Sequence, residues 1–515
     1  MKRVLIFGNG PLPNDNVKKR PSEGLRTWQF VKSLIGGRVR GEGKTGEILT
    51  PKAGLNLRLV TIALGDCYGE ESAEATAGEN AGASALRKDF HHSANFIHHQ
   101  FSENDPALLK MMQAVCDEFQ PDVVVAVNLK VAYLVSKLRF DGKFWADLKG
   151  WAMSKAQIES HKLGDDRLVR EFSKMEEAVL KQADAVSCVS ESQKFATLGE
   201  LALLRRLGGE TFEKEFVYAI ENALEDFEID KIEKVISEVP RGPSMDNAWS
   251  AGTFEQVEED GLRYFRGDSA FCGANVPSNA FVVLWMGGYS AWVDEETLFR
   301  GVEGAMAAIE EREGQDARRK IYFVSTGGIS DGHDASNKTF LRFKELIDLS
   351  RFKDQFKFLG WVAVRHLPYI YQEADIGLNV DRICLETLTG ARNRLCEMIK
   401  FKLPVVTTLG TEISYKLAGN GACKGIESGS ADGVRDGILE LFHNPARRKD
   451  YCDKGRKYFD ERCSYNRVMK PFVKWIDETP VVERVDGGKG GAAGSARSAA
   501  SKLSNFISRS ANKKS

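Results

Sequence analysis

The chain has 515 residues, of which 42% are hydrophobic and 28% are charged. This length suggests two globular domains with extensions rather than a single core. Lysine and arginine total 72 and aspartate and glutamate total 73, so the formal net charge is −1. Because binding to a nucleic-acid backbone requires a basic surface, we do not expect nucleic acid as a partner.

The nine cysteines include no Cys-x-x-Cys pair. Their scatter argues against a disulfide framework or a zinc ribbon and favours a reducing compartment. The opening segment MKRVLIFGNG predicts a first strand rather than a signal peptide, and no apolar stretch reaches membrane-spanning length. We therefore expect a cytoplasmic protein.

Short apolar strands alternate with helical segments through the first half of the chain. Strands are predicted at 4–7, 59–64, 122–127 and 185–189, and helices at 25–34, 107–119 and 166–182. This alternation is typical of a parallel sheet covered by helices on both faces. Residues 36–57 are rich in glycine and lysine, and we predict a loop insertion there.

The same alternation recurs more clearly in the second half. Strands are predicted at 281–286, 320–325, 356–359, 376–380 and 404–408. The two halves predict an α/β protein of two Rossmann-like domains, which we place at 1–278 and 279–470. The remaining residues, 471–515, are predicted to form a terminal helix or linker and a basic low-complexity tail.

The tail changes composition near residue 486, where glycine, alanine, serine, lysine and arginine dominate. Such a segment buries too little apolar surface to fold, so we predict disorder. Its apolar residues would nevertheless share one face of a helix surrounded by basic residues. A peripheral contact with the inner face of the membrane is therefore the alternative to a disordered tail with accidental periodicity.

Each half begins with a predicted strand that is followed by a glycine-rich turn. Gly8-Asn9-Gly10 follows the first strand, and Gly287-Gly288 follows the strand at 281–286. Glycine there lets a ligand approach the backbone, and a helix start beyond it offers N–H groups to an anion. Neither turn is a complete Gly-x-Gly-x-x-Gly fingerprint, and tight turns also use glycine for steric reasons alone.

The segment from Gly390 to Thr408 is the strongest candidate for an anion site. A glycine leads into a short helix, beginning near Asn393, whose free N–H groups and dipole favour a pyrophosphate. Arg392 and Arg394 would add charge-assisted hydrogen bonds, and Glu397 would accept hydrogen bonds from ribose hydroxyls. The alternative is a solvated amphipathic helix with surface ion pairs.

Four segments together resemble a known family. They are LWMGGYSAWVDEETLFRGVEGAM (284–306), FVSTGGISDGHD (323–334), FKFLGWVAVRHLPYIYQEADIGLNVDR (356–382) and GARNRLCEMIKFKLPVVTT (390–408). Their order is similar to that of retaining glycosyltransferases of the GT-B fold, family-4 type. That family usually has two glutamates separated by seven residues. Glu397 occupies the second of these positions, but Thr389 occupies the first. Glu386 is nearby but out of register.

The resemblance implies two Rossmann-like lobes facing across a cleft and a sugar transfer that retains the anomeric configuration. The donor would be a UDP-, GDP- or ADP-sugar, and the acceptor a carbohydrate, a lipid-linked sugar or a small molecule. No tightly bound cofactor and no metal are implied. A sugar epimerase or phosphorylase on the same fold, or a nucleotide-sugar-binding protein without activity, stay open as alternatives.

Further candidates come from single residues. Asp147 ends a predicted strand and would bind a sugar or acceptor hydroxyl, or would instead cap the following helix. Trp292 lies in a loop where its ring would contact a ligand, and His333 would touch a phosphate or sugar. We name Asp147, Arg392 and Glu397 as catalytic candidates. The donor-binding candidates are Gly10, Gly287, Gly288, Trp292, His333, Gly390, Asn393 and Arg394.

A group of histidines, at positions 91, 92, 98 and 99, has near-helical spacing. A metal site is conceivable for such a group. No carboxylate or cysteine pattern completes it, so a solvated or partly packed segment is the preferred interpretation.

Overall fold

A computed structural model describes residues 1–12, 22–40, 47–63, 88–224, 264–267, 270, 272–314, 320–330, 332–362 and 366–483. The predicted tail from residue 486 lies outside these residues, as does most of the segment between the two predicted domains. No helix in the described ranges combines the length and the apolarity needed to cross a membrane. The chain forms two α/β lobes.

The N-terminal lobe is built on an eight-stranded sheet with the order β10-β9-β8-β7-β1-β4-β6-β5. All neighbouring strands are parallel except β5 and β6. The middle of β1, residues 4–7, and all of β7 are apolar and fully buried, because helices cover both faces of the sheet. Its strands are β1 (Lys2–Gly10), β4 (Leu55–Ala63), β5 (Lys88–Ser93), β6 (Phe96–Ser102), β7 (Val123–Val127), β8 (Lys143–Lys149), β9 (Ala185–Cys188) and β10 (Val217–Ala219).

The helices of this lobe connect its strands. They are α1 (Ser22–Ser33), α2 (Leu108–Phe119), α3 (Leu129–Val135), α4 (Ala152–Leu163), α5 (Arg167–Leu180) and α6 (Glu191–Leu203). Helix α2 shows why such segments are helical: its buried residues recur at helical spacing, at Leu108, Met112, Val115 and Phe119.

The predicted loop insertion at 36–57 was wrong, because the segment contains an antiparallel hairpin of β2 (Ile35–Arg40) and β3 (Glu47–Pro51). The four histidines lie on β5 and β6, where His98 and His99 are buried and His91 is exposed, so the segment is partly packed. Their alternation places His98 against the Thr61 hydroxyl, 2.7 Å away, so the spacing reflects strand pairing.

The C-terminal lobe is built on a six-stranded parallel sheet with the order β13-β12-β11-β14-β15-β16. Its strands are β11 (Phe281–Trp285), β12 (Ile321–Thr326), β13 (Phe356–Gly360), β14 (Ile376–Asn379), β15 (Val405–Thr408) and β16 (Lys424–Ile426). The five strands predicted here are all present. The prediction missed only the short strand β16 at the sheet edge.

The helices of the C-terminal lobe follow the same alternation. They are α7 (Glu295–Glu313), α8 (Asp334–Asp348), α9 (Leu367–Glu373), α10 (Leu385–Thr389), α11 (Asn393–Lys400), α12 (Glu412–Gly419), α13 (Ala431–His443) and α14 (Pro445–Arg462). Helices α15 (Tyr465–Val468) and α16 (Lys470–Glu478) are the last helices in the described ranges.

The lobes exchange segments across the predicted boundaries. Tyr264, Phe265 and Val276 lie in the predicted first domain but pack in the C-terminal core. Helices α15 and α16 return to the N-terminal lobe, where Phe472 packs edge-on against Phe30 at 4.9 Å. Two crossings of the chain therefore join the lobes.

The buried carboxyl group of Glu176 on α5 is electrostatically coupled to the half-buried carboxyl group of Glu200 on α6. Both oxygens of Glu176 are buried without a hydrogen-bond partner among the described residues. Glu200 accepts a hydrogen bond from Trp151 Nε1 at 2.8 Å. Burial raises the pKa of Glu176 well above its usual range, and the charge of Glu200 raises it further.

Replacing Glu176 with glutamine tests this pair. Because the folded-state pKa is raised above the unfolded value, the carboxyl stabilises the fold at low pH, and this stability is lost as the pH rises through the folded pKa. We expect Glu176→Gln to raise the melting temperature by about 2–4 °C at pH 8, with a smaller gain near pH 5. The control Glu171→Gln, exposed on the same helix, should change neither value; a pH-independent effect of Glu176→Gln would contradict the account.

Candidate functional site

Hydrogen bonds connect the two lobes on either side of one cleft. Ser190, after β9, donates from Oγ to the carbonyl oxygen of Thr389 at 2.6 Å. Asn222 Nδ2 donates to Asn393 Oδ1 at 2.6 Å, and the backbone N–H of Glu191 donates to Glu412 at 2.8 Å. The loop that leads into α11 therefore lies directly against the N-terminal lobe.

Residues of both lobes line the cleft, which is narrow in this structure, with a cavity volume of about 10 Å³. Its lining residues are Val189, Glu221, Asn222, Gly390, Ala391, Arg392, Cys396, Glu412 and Ile413. The predicted anion segment thus opens on the interlobe cleft rather than on the outer surface. This position is the first requirement for a donor site between two lobes.

Arg392 is the centre of a buried ion network. Its Nε donates to Asp381 Oδ2 at 2.7 Å, and its two terminal nitrogens bind both oxygens of Glu386, at 3.1 and 2.7 Å. Burial opposes the positive charge, but Asp381 and Glu386 raise the pKa of Arg392. All three side chains are at least nine-tenths buried. Arg392, predicted to contact phosphate, is therefore held by two carboxylates.

Gly390 is required by this network. A Cβ atom at Gly390 would lie 2.5 Å from the backbone oxygen of Glu386 and 2.5 Å from its Oε1. It would also lie 3.0 Å from Arg392 Nη1. The glycine predicted as a donor-binding residue therefore gives the Glu386–Arg392 pair its space.

The Gly287–Gly288 turn packs against a second glycine turn after β12. Gly287 has a positive φ of 88°, and its N–H donates to Thr326 Oγ1 at 2.7 Å. Gly327 also has a positive φ, of 80°, and a Cβ there would lie 2.5 Å from the carbonyl oxygen of Gly287. Only glycine permits this close approach of the two turns.

Arg394 connects α11 to the Gly287–Gly288 turn. One terminal nitrogen donates to the carbonyl oxygen of Gly288 at 2.8 Å, and the guanidinium carbon lies 4.1 Å from the ring centroid of Trp285. The other terminal nitrogen, Nη1, is buried and has no hydrogen-bond partner within the described part of the chain. Burial lowers the pKa of Arg394, against the opposing charge of Asp381.

Further buried polar atoms occur at the carboxyl ends of β11 and β14. Trp285 Nε1, Asn379 Oδ1 and Asp381 Oδ1 are buried, and none has a hydrogen-bond partner in the described ranges. Unsatisfied buried polar groups are uncommon in proteins because each costs about 1–3 kcal/mol. This edge of the sheet therefore carries unused hydrogen-bonding capacity next to Arg394.

The other predicted residues of α11 have defined partners. Asn393 faces the N-terminal lobe through its bond to Asn222. Glu397, half-buried in the second turn of the helix, accepts a hydrogen bond from the Tyr371 hydroxyl at 3.0 Å. Tyr371 in turn stacks on Phe401 with ring centroids 4.5 Å apart.

Trp292 and His333 lie at the edges of this region. The guanidinium of Arg392 lies 5.0 Å from the Trp292 ring centroid, and the tryptophan packs with Ile158 of α4 in the opposite lobe. The ring therefore supports Arg392 at the lobe contact. His333 is exposed on the loop after β12, with Nδ1 3.4 Å from Ser330 Oγ.

Asp147 differs most from its prediction. It lies within β8 rather than at its end, and it does not cap α4, which has Trp151 at its N-cap position. Both carboxylate oxygens are bound by Arg26, at 3.1 and 2.7 Å, and Ser187 Oγ donates to one of them at 2.7 Å. The group is completely buried, so we assign it a structural role.

Gly10 ends β1 at the carboxyl edge of the N-terminal sheet, paired with Ala63 of β4. It belongs to the N-terminal lobe, whereas Gly287 and Gly288 belong to the C-terminal lobe. Beside it, Asn128 Nδ2 donates to Asn9 Oδ1 at 2.9 Å. Of the two glycine turns, the one at Gly287–Gly288 is joined directly to α11.

Sequence reasoning missed the acidic partners and the aromatic floor of the site. Asp381 and Trp285 were not among the candidates, although each ends or directly follows a buried strand of a parallel sheet, where ligands bind. Trp361 was not among the candidates either. Its ring lies on the Gly288 side, 3.3 Å from where a Cβ of Gly288 would lie.

No cluster of three or more metal-ligating side chains occurs within the described ranges. The histidines of β5 and β6 are engaged in the fold. His99 pairs with Asp89 at 2.8 Å, and burial lowers the pKa of His98 to about 3.

The fold is shared with solved structures, although no protein-family model and no curated protein matches the sequence. A trehalose-6-phosphate synthase, OtsA, aligns with a TM-score of 0.59 at 12% identity, covering 94% of this chain and 100% of that one. A sucrose-phosphate synthase from Thermosynechococcus elongatus gives 0.56 at 13% identity, covering 93% and 98%. Anabaena HepE in complex with UDP-glucose gives 0.54 at 10% identity, covering 93% and 100%.

These alignments run over both lobes, so the chain has the two-lobed GT-B fold. The fold prediction is confirmed.

The structural assignment of Asp147 predicts a loss of stability on substitution. In Asp147→Asn, Arg26 stays buried without a carboxylate partner, which costs about 3–5 kcal/mol of unfolding free energy. Urea unfolding followed by tryptophan fluorescence measures the change. The control Asp165→Asn, at an exposed position, should stay within about 0.5 kcal/mol of the parent protein. An Asp147→Asn protein of unchanged stability that had lost its activity would restore the catalytic interpretation.

Proposed function

We propose that this protein transfers a sugar from a nucleoside diphosphate sugar to an acceptor hydroxyl with retention of the anomeric configuration. The donor diphosphate is held in the C-terminal lobe, between the Gly287–Gly288 turn and the start of α11. The proposal is supported by the fold and by the sequence resemblance. The single observation that carries it is the environment of Arg394.

Arg394 is half-buried, its Nη1 atom is fully buried, and it has no ion pair to a carboxylate among the described residues. A carbonyl oxygen and an aromatic face compensate its charge only in part. A cationic nitrogen buried in this way is costly unless an anion is present. A diphosphate oxygen at Nη1 would accept the missing hydrogen bond and would also carry negative charge. Guanidinium groups form their strongest hydrogen bonds with such anionic oxygens.

Arg392 has a different role in this proposal. Asp381 and Glu386 already satisfy its guanidinium, so it does not need a phosphate partner. It sits at the N-cap position of α11, and no side chain caps the helix. The ion network thus fixes the start of the helix, and the helix directs its N–H groups and Arg394 towards one anion site.

The transferred sugar would lie where the C-terminal lobe meets the N-terminal lobe. As the glycosidic bond breaks, the leaving diphosphate gains negative charge. Fixed donors such as Arg394 stabilise that charge more in the transition state than in the ground state. Glu397, next to Tyr371, is the candidate for a hydrogen bond to the ribose.

The acceptor would approach from the N-terminal lobe. Gly10 and Asn128 lie at the carboxyl edge of its sheet, where the loops of such folds bind ligands. The carboxylates of Asp147 and Glu386 are each bound by an arginine, so neither is proposed as the base. A carbohydrate, a lipid-linked sugar and a small molecule all stay within this proposal.

A binding protein without transferase activity is the second candidate. Thr389, at the position of the family's first glutamate, donates its hydroxyl hydrogen to Leu385 and lies 3.3 Å from Ser154 Oγ. Thr389 therefore stabilises helix α10 and the contact between the lobes. Product analysis separates the two functions, because only the enzyme forms a glycoside and free nucleotide.

Substitution of Arg394 tests the proposed donor site. A charge-assisted hydrogen bond to a charged group contributes about 1.5–3 kcal/mol, so Arg394→Ala should lower kcat/KM by about 10- to 100-fold. Arg394→Lys retains the positive charge but not the planar guanidinium fork, so its kcat/KM should lie between those of the parent protein and Arg394→Ala. Initial rates with UDP-, GDP- and ADP-sugars, and the thermal shift with each nucleoside diphosphate, measure the effect.

The matched control is Arg300→Ala, which removes an exposed arginine of the same lobe that pairs with Glu296 at 3.6 Å. It should leave turnover and nucleotide binding unchanged. Folding of both Arg394 variants is checked by their melting temperatures without ligand. If well-folded Arg394→Ala binds and turns over its donor like the parent protein, the assignment of the diphosphate site is wrong.

A further inference from the structure

A second cavity lies between the C-terminal helices and the N-terminal lobe. It has a volume of about 370 Å³, within the range of small-molecule sites. Its walls come from the end of α1, the residue after β3, and helices α15 and α16. The residues used below are Ser33, Lys52, Asn466, Met469, Lys470 and Lys474.

This cavity is distinct from the interlobe cleft. No residue lines both spaces. The cleft residues lie between positions 189 and 413, whereas the cavity is lined by Ser33, Lys52 and residues from the range 465–478.

Three lysines and two acidic residues line the cavity, so its lining has a net charge of +1. Lys474 lies 3.7 Å from Glu478, but Lys52 and Lys470 form no ion pair within the described ranges. The acidic residue Asp477 also contributes to the lining. It is seven residues after Lys470 along α16, a distance of about 10 Å along the helix. One end of the cavity is therefore basic.

The remaining lining suits a polar organic molecule. Asn466 provides an exposed amide, and the Ser33 hydroxyl, which donates to the Phe30 carbonyl oxygen at 2.7 Å, retains its capacity to accept a hydrogen bond. Met469, which is almost completely buried, provides an apolar floor. The basic end favours a phosphate, because lysine ammonium groups bind phosphate as point charges. Hydroxyl and amide groups favour a body that carries hydroxyls.

We propose that this cavity binds a small organic phosphate, with Lys52 and Lys470 on its phosphate group. The two lysines come from different parts of the chain, one after the hairpin of the N-terminal lobe and one from the returning C-terminal helix. A bound phosphate would therefore hold α16 on the N-terminal lobe. Because α16 follows one of the two crossings between the lobes, this site would regulate how firmly they are held together.

Binding is tested on the full chain with glycerol 3-phosphate, inorganic phosphate and glycerol as probes. Isothermal titration and thermal shift should show saturable binding of glycerol 3-phosphate, weaker binding of inorganic phosphate and none of glycerol. Replacing both lysines (Lys52→Ala with Lys470→Ala) should weaken the binding at least about tenfold. Both side chains reach solvent, so the double variant is expected to fold.

The control Lys457→Ala removes an exposed lysine of α14 outside the cavity and should bind like the parent protein. Arg394→Ala should also bind glycerol 3-phosphate normally, which separates this site from the proposed donor site. If inorganic phosphate and glycerol 3-phosphate bind equally well, the cavity recognises only the phosphate group, and the proposal of an organic ligand is wrong. Binding that survives in the double variant, or no binding at all, would overturn the site.

Discussion

The buried ion network of Arg392 with Asp381 and Glu386 is the interaction on which the candidate site depends. It joins the end of β14, helix α10 and the start of α11 in the cleft between the lobes. Removing one partner of such a network would leave an uncompensated buried charge, which costs several kcal/mol. The contribution of the network to the site is to hold the backbone in position. It fixes where α11 begins, and this places Arg394 against the Gly288 carbonyl.

Two arginines separated by one residue thus have opposite electrostatic surroundings. Arg392 has two carboxylates within hydrogen-bond distance and needs no further partner. Arg394 has a carbonyl oxygen, the Trp285 ring and one buried nitrogen without a partner among the described residues. In the proposed function, the first is therefore a positioning group and the second a binding group. The proposed donor site rests on this difference between the two arginines. The resemblance to GT-B enzymes suggests that the anion bound by Arg394 is the diphosphate of a nucleotide sugar.

The fold could be predicted from the sequence because apolar runs such as Val123–Val127 and helix spacing such as that of Leu298 to Ile309 are local signals. The hairpin at 35–51 and the strand positions of the histidines were missed, since pairing partners decide them. Within the site, sequence spacing identified the segment from Gly390 to Glu397. It could not show that Asp147 is bound by Arg26, 121 residues away, because such pairing appears only in three dimensions.

A crystal structure of the protein with its best-binding nucleoside diphosphate tests the central claim most directly. The account predicts a diphosphate oxygen about 2.7–2.9 Å from Arg394 Nη1, beside the Gly287–Gly288 turn, with the Arg392 network unchanged. A nucleotide bound elsewhere, or a diphosphate held by Arg392 after release of Asp381 and Glu386, would contradict it.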